Sequence, residues 1–176
     1  MKNFFSAKRL CRAGIIAALY CVLTLVFTPF AFGPLQFRPA EALCILPLFF
    51  PEAIPALFVG CALSNLISQY SVYDVLLGSL ATLIASFGTF AIGKLIKNEV
   101  LKILFGGVFP VLCNALIIPI IIVLIFGDTG GYGSALTAYF AFALSIGFTE
   151  CIWVYALGAP LYFVIKRLQK YTFFRK

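Results

Sequence analysis

The sequence predicts an all-α integral membrane protein, a bundle of six transmembrane helices with the N- and C-termini in the cytoplasm. Of its 176 residues, 63% are hydrophobic and only 11% are charged, whereas a soluble domain usually carries about a quarter charged residues. The mean hydropathy is +1.09, and apolar runs long enough to cross a bilayer, roughly 20 residues each, recur along the chain. We therefore expect residues 1–176 to form a single transmembrane domain.

The first predicted span covers about residues 13–32 and ends at the breaker pair Gly33-Pro34. Its apolar run is longer than that of a signal peptide and no clear small-residue cleavage site follows, so we expect the span to be retained. Ala13 and Ala17 lie four positions apart on this span. Small residues at this spacing allow another helix to approach closely.

The region 38–69 is too long for one span and short for two. Pro51 and Glu52 suit the first positions of a helix, because proline tolerates the first helical position and a carboxylate is stabilised by the helix dipole. We therefore predict a short second helix over 39–50 and a third over 51–67. The alternative is a re-entrant pair of helices.

The last three spans are predicted over about 72–93, over about 103–126, and in a final segment that ends near residue 165. Three basic clusters border the spans, and basic residues favour the cytoplasmic side of a membrane. These clusters are Lys2, Lys8, Arg9 and Arg12, then Lys94, Lys97 and Lys102, then Lys166, Arg167, Lys170, Arg175 and Lys176.

The topology follows from whether an even or an odd number of spans separates the basic clusters. The first and the middle basic clusters share one side only if an even number of spans separates them, so the region 38–69 must cross twice or not at all. Two crossings give six helices and place residues 1–12 and 166–176 in the cytoplasm. Arg38 is then the one basic residue on the outer side.

Composition also excludes several classes of function. The net charge of +7 is accounted for by clusters that border apolar spans, so we expect no nucleic-acid partner. Histidine is absent, and the six cysteines form no CxxC pair. The commonest metal ligand and general base are therefore missing, and we predict no metal, no cofactor and no enzymatic activity.

Counting inward from the cytoplasmic anchors, at about 1.5 Å per helical residue, brings several polar groups toward the outer half of the bundle. Buried ionisable groups in a membrane are costly, which makes them candidates for a functional site. The predicted substrate-binding residues are Arg38, Glu41, Asn65, Asn114, Glu150 and Trp153. Glu150 is the strongest of these, because it lies in an apolar run without a nearby cation.

Each candidate has a structural alternative. Arg38 and Glu41 suit the start of a helix, and the two asparagines suit hydrogen bonds between helices. Asp74 follows Ser71 at the spacing of a capping arrangement, which is the interpretation we favour for it. Asp128 lies in a glycine-rich segment that indicates a solvated turn.

Two stretches carry a resemblance to a known family. They are QFRPAEAL at 36–43 and LPLFFPEAIP at 46–55, and they resemble the QueT family, substrate-binding S components of energy-coupling-factor (ECF) transporters. The likeness continues at Gly60 and Asn65, returns at GFTE over 147–150 and in the segment after it, and covers nearly the whole chain.

The resemblance implies a division of labour. An S component, itself a six-helix bundle in the bacterial plasma membrane, would capture a queuosine precursor from outside, a 7-deazaguanine such as preQ0, preQ1 or queuine. The transmembrane coupling protein EcfT and two ATPase subunits would drive uptake. The segment from Ala13 to Ala17 matches the family's Ala-x-x-x-Ala docking motif. The chain has no GxxxxGK[ST] sequence, so ATP hydrolysis would come from the partners.

The chemistry of such a ligand suits the candidate residues. A carboxylate of Glu41 or Glu150 can accept the adjacent N–H donors of a guanine-like edge, and Asn65 or Asn114 can donate to the ring carbonyl. Trp153 can stack on the heterocycle. The alternatives are an S component for another vitamin or nucleobase, and a stand-alone secondary transporter.

Overall fold

The computed structural model describes residues 6–32 and 36–169, and these residues form helices and connecting turns. The helices are α1 (Ala7–Val26), α2 (Thr28–Ala31), α3 (Pro39–Leu48), α4 (Ala53–Asn65), α5 (Asp74–Leu95), α6 (Glu99–Ile125) and α7 (Ala135–Leu168). The breaker pair Gly33-Pro34 and the basic residues Lys2, Lys170, Arg175 and Lys176 lie outside the described residues.

Four of these helices, α1, α5, α6 and α7, are long and apolar enough to cross a membrane. The predicted fourth and fifth spans correspond to α5 and α6. Large apolar side chains such as Leu144 and Phe148 point outward from the bundle, as lipid-facing residues do. The architecture is therefore that of a helical membrane protein.

The first helix is shifted relative to its predicted bounds of 13–32. It begins at Ala7, where the Ser6 hydroxyl accepts a hydrogen bond from the Arg9 backbone N–H at 3.4 Å. It ends at Val26, and the short α2 follows with Pro29 in its first turn. Proline has no N–H and its ring clashes with the carbonyl four residues back, so the helix cannot continue unbroken to residue 32.

The second predicted helix exists, but α3 is a 3₁₀ helix whose 10 residues are all buried. At about 2.0 Å rise per residue it spans about 20 Å, and the 13 residues of α4 also span about 20 Å. Both are shorter than the roughly 30 Å hydrocarbon core. The count of six spans therefore stays a prediction.

Helix α3 lies at the centre of the bundle, in contact with α1, α4, α5, α6 and α7. Glycine permits a close contact between two of these helices: a Cβ on Gly60 of α4 would lie 2.8 Å from the Ala17 carbonyl oxygen of α1. Glu52, which we placed in the first turn of α4, is instead its N-cap residue. The contacts of α3 with these five helices hold it, and the residues just before and after it, inside the bundle.

Apart from Arg38, which enters α3, basic residues of the described part of the chain gather at one end of the bundle. Arg12 pairs with Glu52 at 3.0 Å, and Lys166 pairs with Glu99. A cavity of about 670 Å³ at this end brings Arg12 near Lys94. The grouping agrees with the predicted cytoplasmic face, while the orientation of the chain in a membrane stays a prediction.

Candidate functional site

The polar candidates lie toward the other end of the bundle, around the beginning of α3. Arg38 immediately precedes α3, Asn65 ends α4, and Asp74 begins α5. Asn114 and Glu150 come from the middle of α6 and α7. Together with Glu41 in α3, these side chains come from five helices and the segment before α3. We call this group the polar cluster.

Glu41 is buried in the first turn of α3 and joins that helix to α1. The Tyr20 hydroxyl donates to Oε1 of Glu41, and the Cys44 thiol donates to Oε2 at 3.1 Å. Each carboxylate oxygen therefore has a partner within the chain. This geometry favours an anchoring role for Glu41 over direct contact with a ligand.

Glu150 and Asn114 form a pair across α6 and α7. The Asn114 side-chain amide donates to Oε1 of Glu150 at 2.9 Å, between residues 36 positions apart in sequence. Glu150 is only 1% exposed, and its Oε2 has no hydrogen-bond partner. The amide holds the carboxylate in place and leaves one oxygen able to accept further hydrogen bonds.

Arg38 is buried in the segment that enters α3. Its Nε donates to the Ala31 carbonyl oxygen at 2.8 Å, and its guanidinium lies 4.9 Å from the ring centroid of Phe32. The Nη2 atom has no partner. Arg38 also interacts electrostatically with two acidic residues on different helices, Glu150 and Asp74.

Trp153 lies half-buried beside this segment. Its ring meets the Phe37 ring edge to face at a centroid distance of 4.5 Å, and its indole Nε1 has no partner. Trp153 belongs to a π-helical segment within α7, Ile152–Leu157. Such segments occur frequently at functional sites.

Asn65 links α4 to α5, and it faces a residue that the sequence analysis assigned to another role. Its amide donates to the Asp74 backbone carbonyl at 2.8 Å, while its Oδ1 is unpaired. Asp74, for which we favoured a capping role, is fully buried at the start of the π-helical segment Asp74–Gly78. The Ser68 hydroxyl donates to its Oδ2, and its Oδ1 has no partner.

Gln36, like Asp74, was not among the substrate-binding residues predicted from the sequence. It is 2% exposed, and its Nε2 has no hydrogen-bond partner among the described residues. Its φ of 45° is a conformation that non-glycine residues rarely adopt. The only signal in the sequence is its position at the beginning of the 36–43 stretch. Asp128, by contrast, is exposed as predicted and accepts a hydrogen bond from the Gly130 backbone at 2.9 Å.

The polar cluster therefore contains buried acceptors and donors that have no hydrogen-bond partner among residues 6–32 and 36–169. A buried polar group left unpaired costs about 1–3 kcal/mol, so several together are unusual in a purely structural role. The unpaired acceptors are Oε2 of Glu150, Oδ1 of Asp74 and Oδ1 of Asn65, and the unpaired donors are Nη2 of Arg38, Nε2 of Gln36 and Nε1 of Trp153.

Two surface cavities lie elsewhere. The cavity of about 670 Å³ at the basic end is lined by no residue of the polar cluster. A second, apolar cavity of about 440 Å³ runs between α1 and α4 and is lined by Ala13, Gly14 and Ala17 among others. Volume alone therefore does not identify the ligand site; the unpaired donors and acceptors favour the polar cluster.

Comparison with known proteins identifies relatives of the chain. The model of the family described as QueT transporter matches residues 10–167. A curated relative, the queuosine precursor transporter QueT of Lactococcus lactis subsp. cremoris (strain MG1363), is 39% identical over 72 residues, which are 40% of this chain and 42% of that protein. The match thus covers less than half of the relative's length. No solved structure matches the chain with significance.

Proposed function

This chain belongs to the QueT transporter family, and we propose that it is the S component of an ECF importer that captures a queuosine precursor. The observation that carries this proposal is the polar cluster, where unpaired hydrogen-bond donors and acceptors are buried in an otherwise apolar bundle. Unpaired donors and acceptors of this kind suit a flat, polar heterocycle with donors and acceptors on its edge. The name of the Lactococcus relative supplies the substrate class.

Glu150 is the residue that would recognise a guanine-like edge. Its carboxylate is oriented by Asn114, and a carboxylate can accept the adjacent N–H donors of such an edge. Arg38, whose Nη2 is unpaired, would donate to the ring carbonyl. Trp153 would stack on the heterocycle, an interaction worth about 1–3 kcal/mol per base.

The proposed topology places the polar cluster toward the outside of a bacterial plasma membrane. In this topology both termini are cytoplasmic and the basic residues near Arg12 and Lys94 face inward. Helices α3 and α4 then supply the second and third of six spans. The gathering of basic residues at one end of the bundle supports this arrangement.

Energy would come from partners. We assign the docking surface for EcfT to the apolar cavity between α1 and α4, which Ala13, Gly14 and Ala17 line. Ala17 also packs against Gly60 of α4. The small residues of α1 therefore pack against α4 and also line the apolar cavity beside it. Two ATPase subunits bound to EcfT would supply hydrolysis.

The test is equilibrium binding of 7-deazaguanines to the purified chain alone, in detergent. We expect saturable binding without partners, competed by guanine-like analogues and not by riboflavin, biotin or thiamine. Tight binding of another vitamin in place of a deazaguanine would keep the S-component architecture and reject the substrate. Uptake in cells that lack the coupling module would instead establish a secondary transporter.

A further inference from the structure

Asp74 is a buried acid that the recognition of a guanine-like edge does not use. It is fully buried, and the Ser68 hydroxyl orients the carboxylate through Oδ2. Oδ1 of Asp74 and Oδ1 of the adjacent Asn65 are both unpaired acceptors. Because Asn65 is itself tied to the Asp74 backbone at 2.8 Å, the two acceptors belong to one local structure.

The polar cluster contains more acidic than basic side chains. Its buried acids are Glu41, Asp74 and Glu150, and Arg38 is its buried base. The other buried acid in the described part of the chain, Glu52, pairs with Arg12 at the opposite end of the bundle. An unpaired charge in a membrane interior is costly, so a cation placed among these acids would be stabilised.

The charged groups of the polar cluster can be assigned to the groups along one side of a 7-deazaguanine. On such a ring the N–H donors of the guanine-like edge come first, the carbonyl oxygen follows, and the C7 substituent lies beyond the carbonyl. In the polar cluster Arg38 interacts electrostatically with Glu150 and with Asp74. With Glu150 on the N–H edge and Arg38 on the carbonyl, Asp74 is the acid left for the C7 substituent.

We propose that Asp74 and Asn65 form a subsite for an ammonium group, which selects 7-deazaguanines that carry a primary amine on the C7 substituent. This inference rests on the proposed function and adds a charge preference to it. An ammonium group supplies three N–H donors, enough for Asp74 Oδ1 and Asn65 Oδ1 together. A nitrile in the same place supplies an acceptor and would face two further acceptors.

The experiment compares two ligands that share the ring and differ at C7, 7-aminomethyl-7-deazaguanine and 7-cyano-7-deazaguanine. Both are titrated against the full-length chain in detergent. The variant is Asp74→Asn, which keeps the size of the side chain and an oxygen for the Ser68 hydroxyl. The control is Asp128→Asn, which removes an exposed acid from a loop outside the polar cluster.

We expect the wild-type chain to bind the amine about tenfold or more tightly than the nitrile, because a hydrogen bond to a charged group is worth that much. Asp74→Asn should abolish most of this preference by weakening binding of the amine, and Asp128→Asn should preserve it. If Asp74→Asn is not monodisperse, Ser68→Ala stands in for it with the same expected fall in preference.

Equal binding of both ligands by the wild-type chain would overturn the subsite and leave the proposed function intact. An equal loss of both ligands in Asp74→Asn would do the same, since it would show a structural role. Failure of the wild-type chain to bind either ligand would reject the proposed function, and the subsite with it.

Discussion

Two buried acids in this bundle differ in whether a carboxylate oxygen is left free to accept a further hydrogen bond. Glu41 and Glu150 are both buried glutamates, but donors from Tyr20 and Cys44 occupy both oxygens of Glu41. Asn114 holds one oxygen of Glu150 and leaves the other unpaired. The number of neighbouring donors therefore separates the proposed anchor, Glu41, from the proposed recognition group, Glu150.

Replacement of Glu150 by glutamine should weaken ligand binding about tenfold or more, because the amide presents a donor to the N–H groups of the ligand. Binding can be followed through the fluorescence of Trp153, the only tryptophan in the chain. Glu99→Gln, at the basic end of the bundle, is the matched control and should bind as wild type does. Unchanged affinity in Glu150→Gln would remove that residue from the site.

Among the elements, α3 is the one on which the site depends most. Its 3₁₀ geometry and its two prolines, Pro39 and Pro47, suit a short buried segment, and its position brings Arg38 and Glu41 inside the bundle. The Tyr20–Glu41 hydrogen bond links it to α1 across 21 positions in sequence. Loss of that link should loosen α3.

Tyr20→Phe should lower the melting temperature of the detergent-solubilised chain. The change takes a donor from a buried carboxylate, which costs about 1–3 kcal/mol. Tyr73→Phe makes the same chemical change at a side chain that is 46% exposed, and it should have little effect. Equal melting temperatures for Tyr20→Phe and wild type would show that the link contributes little to stability.

At the scale of the whole molecule, the two ends and one side of the bundle are suited to different tasks. The polar cluster lies toward one end and the paired basic residues lie at the other. The apolar cavity between α1 and α4 opens on the side of the bundle. We therefore expect mutations to separate the proposed capture of the ligand from the proposed coupling to partners.

Gly14→Leu should abolish uptake in cells that contain the coupling module while leaving ligand binding to the purified chain unchanged. Gly14 lines the apolar cavity, and a Cβ added there would meet no atom of the chain within 4 Å. Ala18→Leu adds similar bulk to an exposed position of α1 that does not line the cavity, and it should transport normally. Normal uptake by Gly14→Leu would reject the apolar cavity as the docking surface.

The class of the protein and its family could both be read from the amino-acid sequence. Composition and apolar runs require a membrane bundle whatever the packing, and the stretches at 36–43 and 46–55 carried the resemblance that the family match over residues 10–167 confirms. The interruption between α3 and α4 near Pro51 was also predicted. These features are local, or they are sums over the chain, so they need no knowledge of which helices touch.

Which polar residues are buried together, and which of them are already paired, follows from the packing of the helices. Asp74 has the spacing of a helix cap, and its burial becomes visible only when α4 packs against α5. Glu41 and Glu150 are alike in sequence and differ in neighbours that lie 21 and 36 positions away. Hydrogen-bond partners in a membrane bundle come from helices distant in sequence, and no local pattern encodes their approach.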